Sequence, residues 1–396
     1  MPPINRLALP APIIFMTLAV TIGVAMPAAA DNPIRIGATM SESGAYSTQG
    51  TAARNGYRLC ESHINEAGGL LDRPVEFVIH DDESDTERAI KLYERLISEE
   101  QVDAIMGPYG STLTEAVAPV TERHQMVHIS PLAATTSIWE QGREYLFMVL
   151  PPAELFLAGL IDMADERGLE RVAVINEDEL FPAAAAQGAA DMALERGMTL
   201  AFHEPYETGT EDFGSLVERL DEDDVQVLAM AASPLDDFIE MTRQMKSSDV
   251  SVTMFGTSGA VEEYREALGG DADYTYGLSA WEPSLPNPGI EEFTQAYQET
   301  FERAPSFHAA GGYGSCQLFV EAAEKAGSLD ADAMREALLE LETTTVFGPF
   351  KVDERGYQTA NQGVFIQWQD GDREVVWPEE SATGEARFPT PAWKDR

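Results

Sequence analysis

Two doubly wound α/β lobes, each built on a parallel sheet, are what this sequence predicts. Strand and helix signals alternate over short loops, and that alternation implies parallel βαβ units. The pattern restarts after Pro151-Pro152. At 396 residues the chain is also long for one core, since domains usually hold about 100 to 150 residues.

The first lobe opens with a strand at 34–39, followed by a Ser/Gly-rich loop over 41–50. A helix is predicted over 51–65, with Ala53, Gly56, Tyr57, Cys60 and Ile64 on one face. Gly68-Gly69 ends it. A strand at 75–79 leads through His80-Asp81-Asp82 into a helix at 85–99; a strand at 103–107, a helix at 112–124 and a strand at 127–130 follow. In the second lobe helices are predicted at 155–167, 182–196, 212–220, 235–245 and 261–268. The strands between them fall at 171–175, 200–203, 225–230, 252–255 and 274–280. A Pro-rich linker at 283–288 precedes helices at 290–303 and 309–326, read as additions to the first lobe. A helix at 332–341 and β-like segments at 347–350 and 363–368 finish the chain. The predicted boundaries are 31–150 plus 282–345 for the N-terminal lobe and 151–281 plus 346–396 for the C-terminal lobe.

Residues 1–30 carry one basic residue, Arg6, an apolar stretch over 13–26, and Pro27-Ala28-Ala29-Ala30. That is the pattern of a secretory signal peptide cut after Ala30, and the apolar stretch is short for a bilayer crossing of about 20 residues. The protein is therefore expected in the periplasm, without a membrane anchor. Lys and Arg number 26 against 68 Asp and Glu, a formal net charge of −42. Such a surface repels nucleic acid and anionic lipid, and it suits high salt, where screening weakens self-repulsion. Cys60 and Cys316 are the only cysteines, too few for a Cys-based metal site. Both are placed on apolar helix faces of the first lobe, and a disulfide or two buried thiols are both open readings.

Ligands of open parallel sheets bind at the carboxyl ends of the strands, where loops and helix N-termini converge. Two loops meet that rule: 108–115, with Tyr109, Gly110 and Ser111, and 130–136, with Ala133, Ala134 and Thr135. The first presents backbone N–H groups and the Ser111 hydroxyl as an anion seat; its Thr112 and Glu115 have capping-box spacing. Trp281 ends a strand beside the linker and reads as a ligand-stacking wall, with interlobe packing as the alternative.

The motifs Ser43-Gly44-Ala45-Tyr46, Ile64-Asn65-Glu66-Ala67-Gly68-Gly69, Asp81-Asp82-Glu83-Ser84-Asp85, Gly107-Pro108-Tyr109-Gly110-Ser111-Thr112, Ile129-Ser130-Pro131-Leu132-Ala133-Ala134 and His308-Ala309-Ala310-Gly311-Gly312-Tyr313 occur in this order. Together they make the chain resemble the leucine/isoleucine/valine-binding family of periplasmic ABC-importer proteins, which have the type I periplasmic binding fold. The resemblance implies two lobes joined by three crossings, with a small carboxylate ligand clamped between them. It implies that Ser111 and the loop of Ala133, Ala134 and Thr135 hold the carboxylate, and that Gln49, Tyr109, Phe181 and His308 supply walls. It also implies a monomer without cofactor that docks on an ABC permease and ATPase complex. One departure stands out: Ser258 falls where amino-acid binders of this type place an acid for the ligand's ammonium. A neutral serine offers no ion pair, so the expected ligand has no α-amino group, or another residue supplies the charge.

His80-Asp81-Asp82 lacks the ligand set of a metal site, and G-x-S-x-G, P-loop and H-E-x-x-H motifs are absent. The chain therefore reads as a binding protein and not an enzyme. A soluble sensor with the same fold is the second reading, and a secreted hydrolase the third.

Overall fold

The computed structural model describes residues 32–396, so the predicted leader lies outside the described residues. The first sheet is 5-stranded, ordered β2-β1-β3-β4-β5, from β1 (Ile34–Met40), β2 (Val75–Asp81), β3 (Ala104–Met106), β4 (His128–Ser130) and β5 (Leu146–Met148). Every pairing in it is parallel. The order reverses between β1 and β3, which places a switch point, and so a cleft, at their carboxyl ends.

Local chemistry sets the helices that cover this sheet. In α1 (Ser47–Glu66), Ala53, Tyr57 and Cys60 turn inward. Asp85 caps α2 (Thr86–Ser98), its carboxylate accepting from Arg88 N at 2.7 Å, and Ala89, Tyr93 and Leu96 form the buried stripe. Helix α3 (Ser111–Arg123) begins directly behind Gly110, whose φ of +81° favours glycine. The predicted capping box does not form. With Gly110 as N-cap, Thr112 lies inside the helix and donates instead to Glu179 Oε2 at 2.7 Å, while Glu115 accepts from Arg143.

The second sheet is 7-stranded, ordered β14-β13-β10-β9-β8-β6-β7. Its strands are β6 (Arg171–Glu177), β7 (Thr199–Tyr206), β8 (Val227–Ala231), β9 (Met254–Thr257), β10 (Tyr276–Ser279), β13 (Val364–Gln369) and β14 (Asp372–Trp377); β11 (Thr343–Thr345) and β12 (Gly348–Phe350) form a separate hairpin. Around the sheet lie α4 (Ala158–Glu166), α5 (Leu180–Glu195), α6 (Gly214–Glu222), α7 (Leu235–Ser247) and α8 (Glu262–Leu268). The predicted parallel sheet is present from β7 to β10, and β13, which runs antiparallel to both β10 and β14, extends it. Strands β5, β11 and β14 were not predicted.

After β10 the chain returns to the first lobe as α9 (Ile290–Phe301), α10 (Phe307–Ala326) and α11 (Ala331–Leu339). Helices α1 and α10 touch backbone to backbone. A Cβ on Gly56 would stand 2.2 Å from Ala309 O, and one on Gly312 2.4 Å from Ala53 O. Cys60 and Cys316 meet across this contact as a disulfide, with an S–S distance of 2.13 Å, which resolves the open reading. Among the described residues no helix is long and apolar enough to cross a membrane.

The ion pairs leave most of the 68 acidic side chains without a cation, because only 26 basic ones exist. Self-repulsion is relieved as the Debye length falls from about 10 Å at 0.1 M salt to about 3 Å at 1 M. The melting temperature is expected to rise with NaCl across that range. A flat or falling curve would mean that the charges are too dispersed to act.

Candidate ligand-binding site

Between the two lobes lies a cavity with about 580 Å³ of space, its open mouth included. The carboxyl ends of strands from both sheets face it, as the switch-point rule requires. The first lobe contributes Gln49 from α1, Tyr109 and Gly110 from the loop after β3, and Leu132 from the loop after β4. Phe307 and His308 come from the start of α10. Across the gap stand Phe156, Phe181, Ser233, Phe238 and Ser258.

Two groups of touching rings stand in the wall. Tyr109 meets His308 edge-on at 5.6 Å, His308 lies 3.8 Å from Phe307, and Phe156 meets Phe181 edge-on at 4.9 Å. Burial pushes the His308 imidazole down to about 3, so it is neutral at any working pH. Among the described residues, the lining therefore contains no Asp, Glu, Lys or Arg, and no charged histidine.

The residues predicted as an anion seat are buried next to one another, but Ser111, Ala133, Ala134 and Thr135 are not among those that line the cavity. Ser111, first residue of α3, is 2% exposed. Its Oγ accepts from the backbone N–H groups of Ala134 (3.1 Å) and Thr135 (3.2 Å). The two loops singled out in the sequence thus converge on one oxygen, while Ala133 is buried beside them and the Thr135 hydroxyl is buried without a partner. Ser111→Ala is expected to weaken carboxylate binding by about 1 to 3 kcal/mol, the cost of a lost hydrogen bond to a charged group, or roughly 5- to 150-fold. Calorimetry giving unchanged affinity would remove Ser111 from the site.

Gln49 ties the lobes together. Its Nε2 donates to Ser233 O at 3.1 Å, which leaves Oε1 buried and unpartnered. The orientation is fixed by chemistry, since a carbonyl oxygen accepts only from the amide nitrogen. Ser258 lines the cavity as expected, but its hydroxyl is used within its own lobe: it accepts from Ala232 N at 3.2 Å and lies 3.3 Å from Ala232 O.

Trp281 is a correction. Its indole is 1% exposed, donates to Val346 O at 2.9 Å and packs edge-on against Phe293. It belongs to the crossing between lobes and stands outside the cavity, because the chain turns away from the cleft after β10. The His80-Asp81-Asp82 run clamps a loop: Asp82 accepts from Thr39 and Ser41 hydroxyls at 2.7 and 2.6 Å, Asp81 from Glu42 N at 2.9 Å. Among the described residues no group of three or more His, Cys, Asp or Glu could hold a metal.

Sequence reasoning missed Glu177, Thr112 as a cross-cleft donor, and Ser233. Glu177 ends β6 with 0% exposure, and its carboxylate accepts from Ser233 N at 3.0 Å and Thr208 Oγ1 at 3.1 Å. Burial pushes its carboxyl up to about 7, and nearby Asp237 adds to the shift. Its place at the carboxyl end of a buried parallel strand was the available signal.

Two α/β lobes with an uncharged cavity between them have the type I periplasmic binding fold. The chain belongs to the periplasmic binding protein family, which matches residues 33–373. It is 26% identical to the Leu/Ile/Val-binding protein homolog 7 of Brucella suis biovar 1, over 95% of this chain and 99% of that protein. The fold superposes on the branched-chain amino acid transporter substrate binding protein of Streptococcus pneumoniae, solved with isoleucine, with a TM-score of 0.79 at 22% identity. That match covers 88% of this chain and 100% of that one. A solute binding protein of R. palustris, solved with benzoate, gives 0.78 at 18% identity, covering 91% and 98%.

Proposed function

We propose that this chain is the periplasmic receptor of an ABC importer, closing its lobes on a small carboxylate whose body is uncharged and delivering it to a permease and ATPase complex. The observation that carries this reading is the lining: aromatic rings with no ionised side chain. Charged ligand groups need partners once desolvated; for a carboxylate this reading assigns the hydroxyl protons of Ser111, whose Oγ accepts but does not donate here, and of Thr135, whose hydroxyl has no partner. Isoleucine and benzoate, the ligands of the two structures above, are both carboxylates, which supports the seat's role. The clamp turns over nothing, works as a monomer without cofactor, and is exported by a leader cut after Ala30. Its lobes comprise 31–150 with 282–345 and 151–281 with 346–396. A thermal-shift screen of 2-keto, 2-hydroxy, aryl and amino acids tests the proposal. Stabilisation by acids with uncharged bodies supports it; stabilisation only by amines or sugars would refute it.

A further inference from the structure

We propose that Glu177 takes up a proton as the two lobes shut, so that closure itself is tied to pH. Glu177 stands where the lobes meet. The peptide group that holds it belongs to Ser233, whose carbonyl is gripped from the opposite lobe by Gln49. Next to it Thr112, again from the first lobe, donates to Glu179 at 2.7 Å. Tyr46 and Tyr109 of the first lobe also lie near this carboxylate, so opening the cleft withdraws the first lobe's part of its shield from water.

The groups facing Glu177 are all neutral or acidic. From the first lobe come the phenols of Tyr46 and Tyr109; burial, then Glu177's own charge among other acids, raises the first, and burial, Tyr46 and Glu177 raise the second. The second lobe offers Tyr206 at the end of β7, Glu179 just before α5, and Asp237 in α7. Asp237 is itself buried and pushed up to about 6, with Tyr206 donating to it at 2.7 Å. The bonds that reach the Glu177 carboxylate come only from neutral donors, Ser233 N and Thr208 Oγ1. A buried carboxylate with acidic neighbours and no cation is stabilised by a proton.

The sign follows from linkage. With the lobes in contact, burial pushes the Glu177 carboxyl up to about 7, and withdrawing the first lobe solvates it and moves it towards the ordinary value near 4.3. Between those values the closed form binds one more proton, so falling pH favours closure by up to about tenfold per pH unit. Above about pH 7 both forms are ionised and the dependence flattens.

The test needs no ligand. Spin labels at Lys91→Cys and Leu194→Cys, exposed positions on opposite lobes, report the interlobe distance, and the native thiols are already paired in the disulfide. The closed-to-open ratio is expected to climb as pH falls from 8 to 5.5, and Glu177→Gln should lose most of that slope. Asp237→Asn should keep the slope but move its midpoint to lower pH. A flat wild-type curve overturns the proposal without any variant, and so does an unchanged slope in Glu177→Gln. If that variant does not fold, Glu177→Met, of similar length and with no charge, replaces it. Because no ligand is present, failure here leaves the choice of ligand untouched.

Discussion

Phenylpyruvate should bind at least as well as phenylalanine, and 4-methyl-2-oxopentanoate at least as well as leucine. An ammonium carried into the closed cleft loses its hydration and meets neutral groups only, Ser233, Ser258 and His308 among them. Leaving a buried charge without its partner costs about 2 to 5 kcal/mol. The expected preference for the keto acid is therefore roughly 30-fold to several thousand-fold. Paired calorimetric titrations measure it directly. Ser258→Glu supplies the missing acid at the cavity wall and should move the preference back towards the amine. Glu177 is the acid nearest to a competing explanation, since it lies one residue layer behind Ser233. A strong preference for leucine that Glu177→Gln removes would contradict this account and assign that carboxylate to the ammonium.

Removing the disulfide is the change expected to cost most stability. Cys60 and Cys316 are 256 residues apart in sequence, so the bond closes a long loop that includes residues 151–281 of the second lobe and restricts the unfolded chain accordingly. It also joins α1 and α10 where glycines leave no room for adjustment. Cys60→Ala with Cys316→Ala should lower stability by about 2 to 5 kcal/mol, seen as a fall of several degrees in melting temperature. Reduction of the wild type should reproduce it. An unchanged melting temperature would show that the helix contact alone holds the lobe.

Much of this architecture is legible in the sequence because buried parallel strands announce themselves as short apolar runs between helices. β6, β8 and β9 were found that way, and their burial is nearly complete. β5 was missed because its Leu-Phe-Met is short and runs into Pro151-Pro152. β14 alternates weakly, yet Asp370-Gly371 before it is a hairpin signal, and both residues have positive φ. The candidate site divides the same way. Ser111, Gln49, Tyr109 and His308 sit in recognisable loops and helix starts, whereas Glu177 and Ser233 meet only because β6 and β8 are neighbours. Sequence spacing carries no trace of that adjacency. The misread capping box turned on one position: the helix begins at Ser111, so the spacing from Thr112 to Glu115 falls inside it.

Lobe closure on a small carboxylate is the central claim, and small-angle scattering tests it most directly. An acid that raises the melting temperature in the screen should also reduce the radius of gyration when it saturates the protein, as the open cleft shuts around it. An identical radius of gyration with and without such a tight ligand would contradict the clamp.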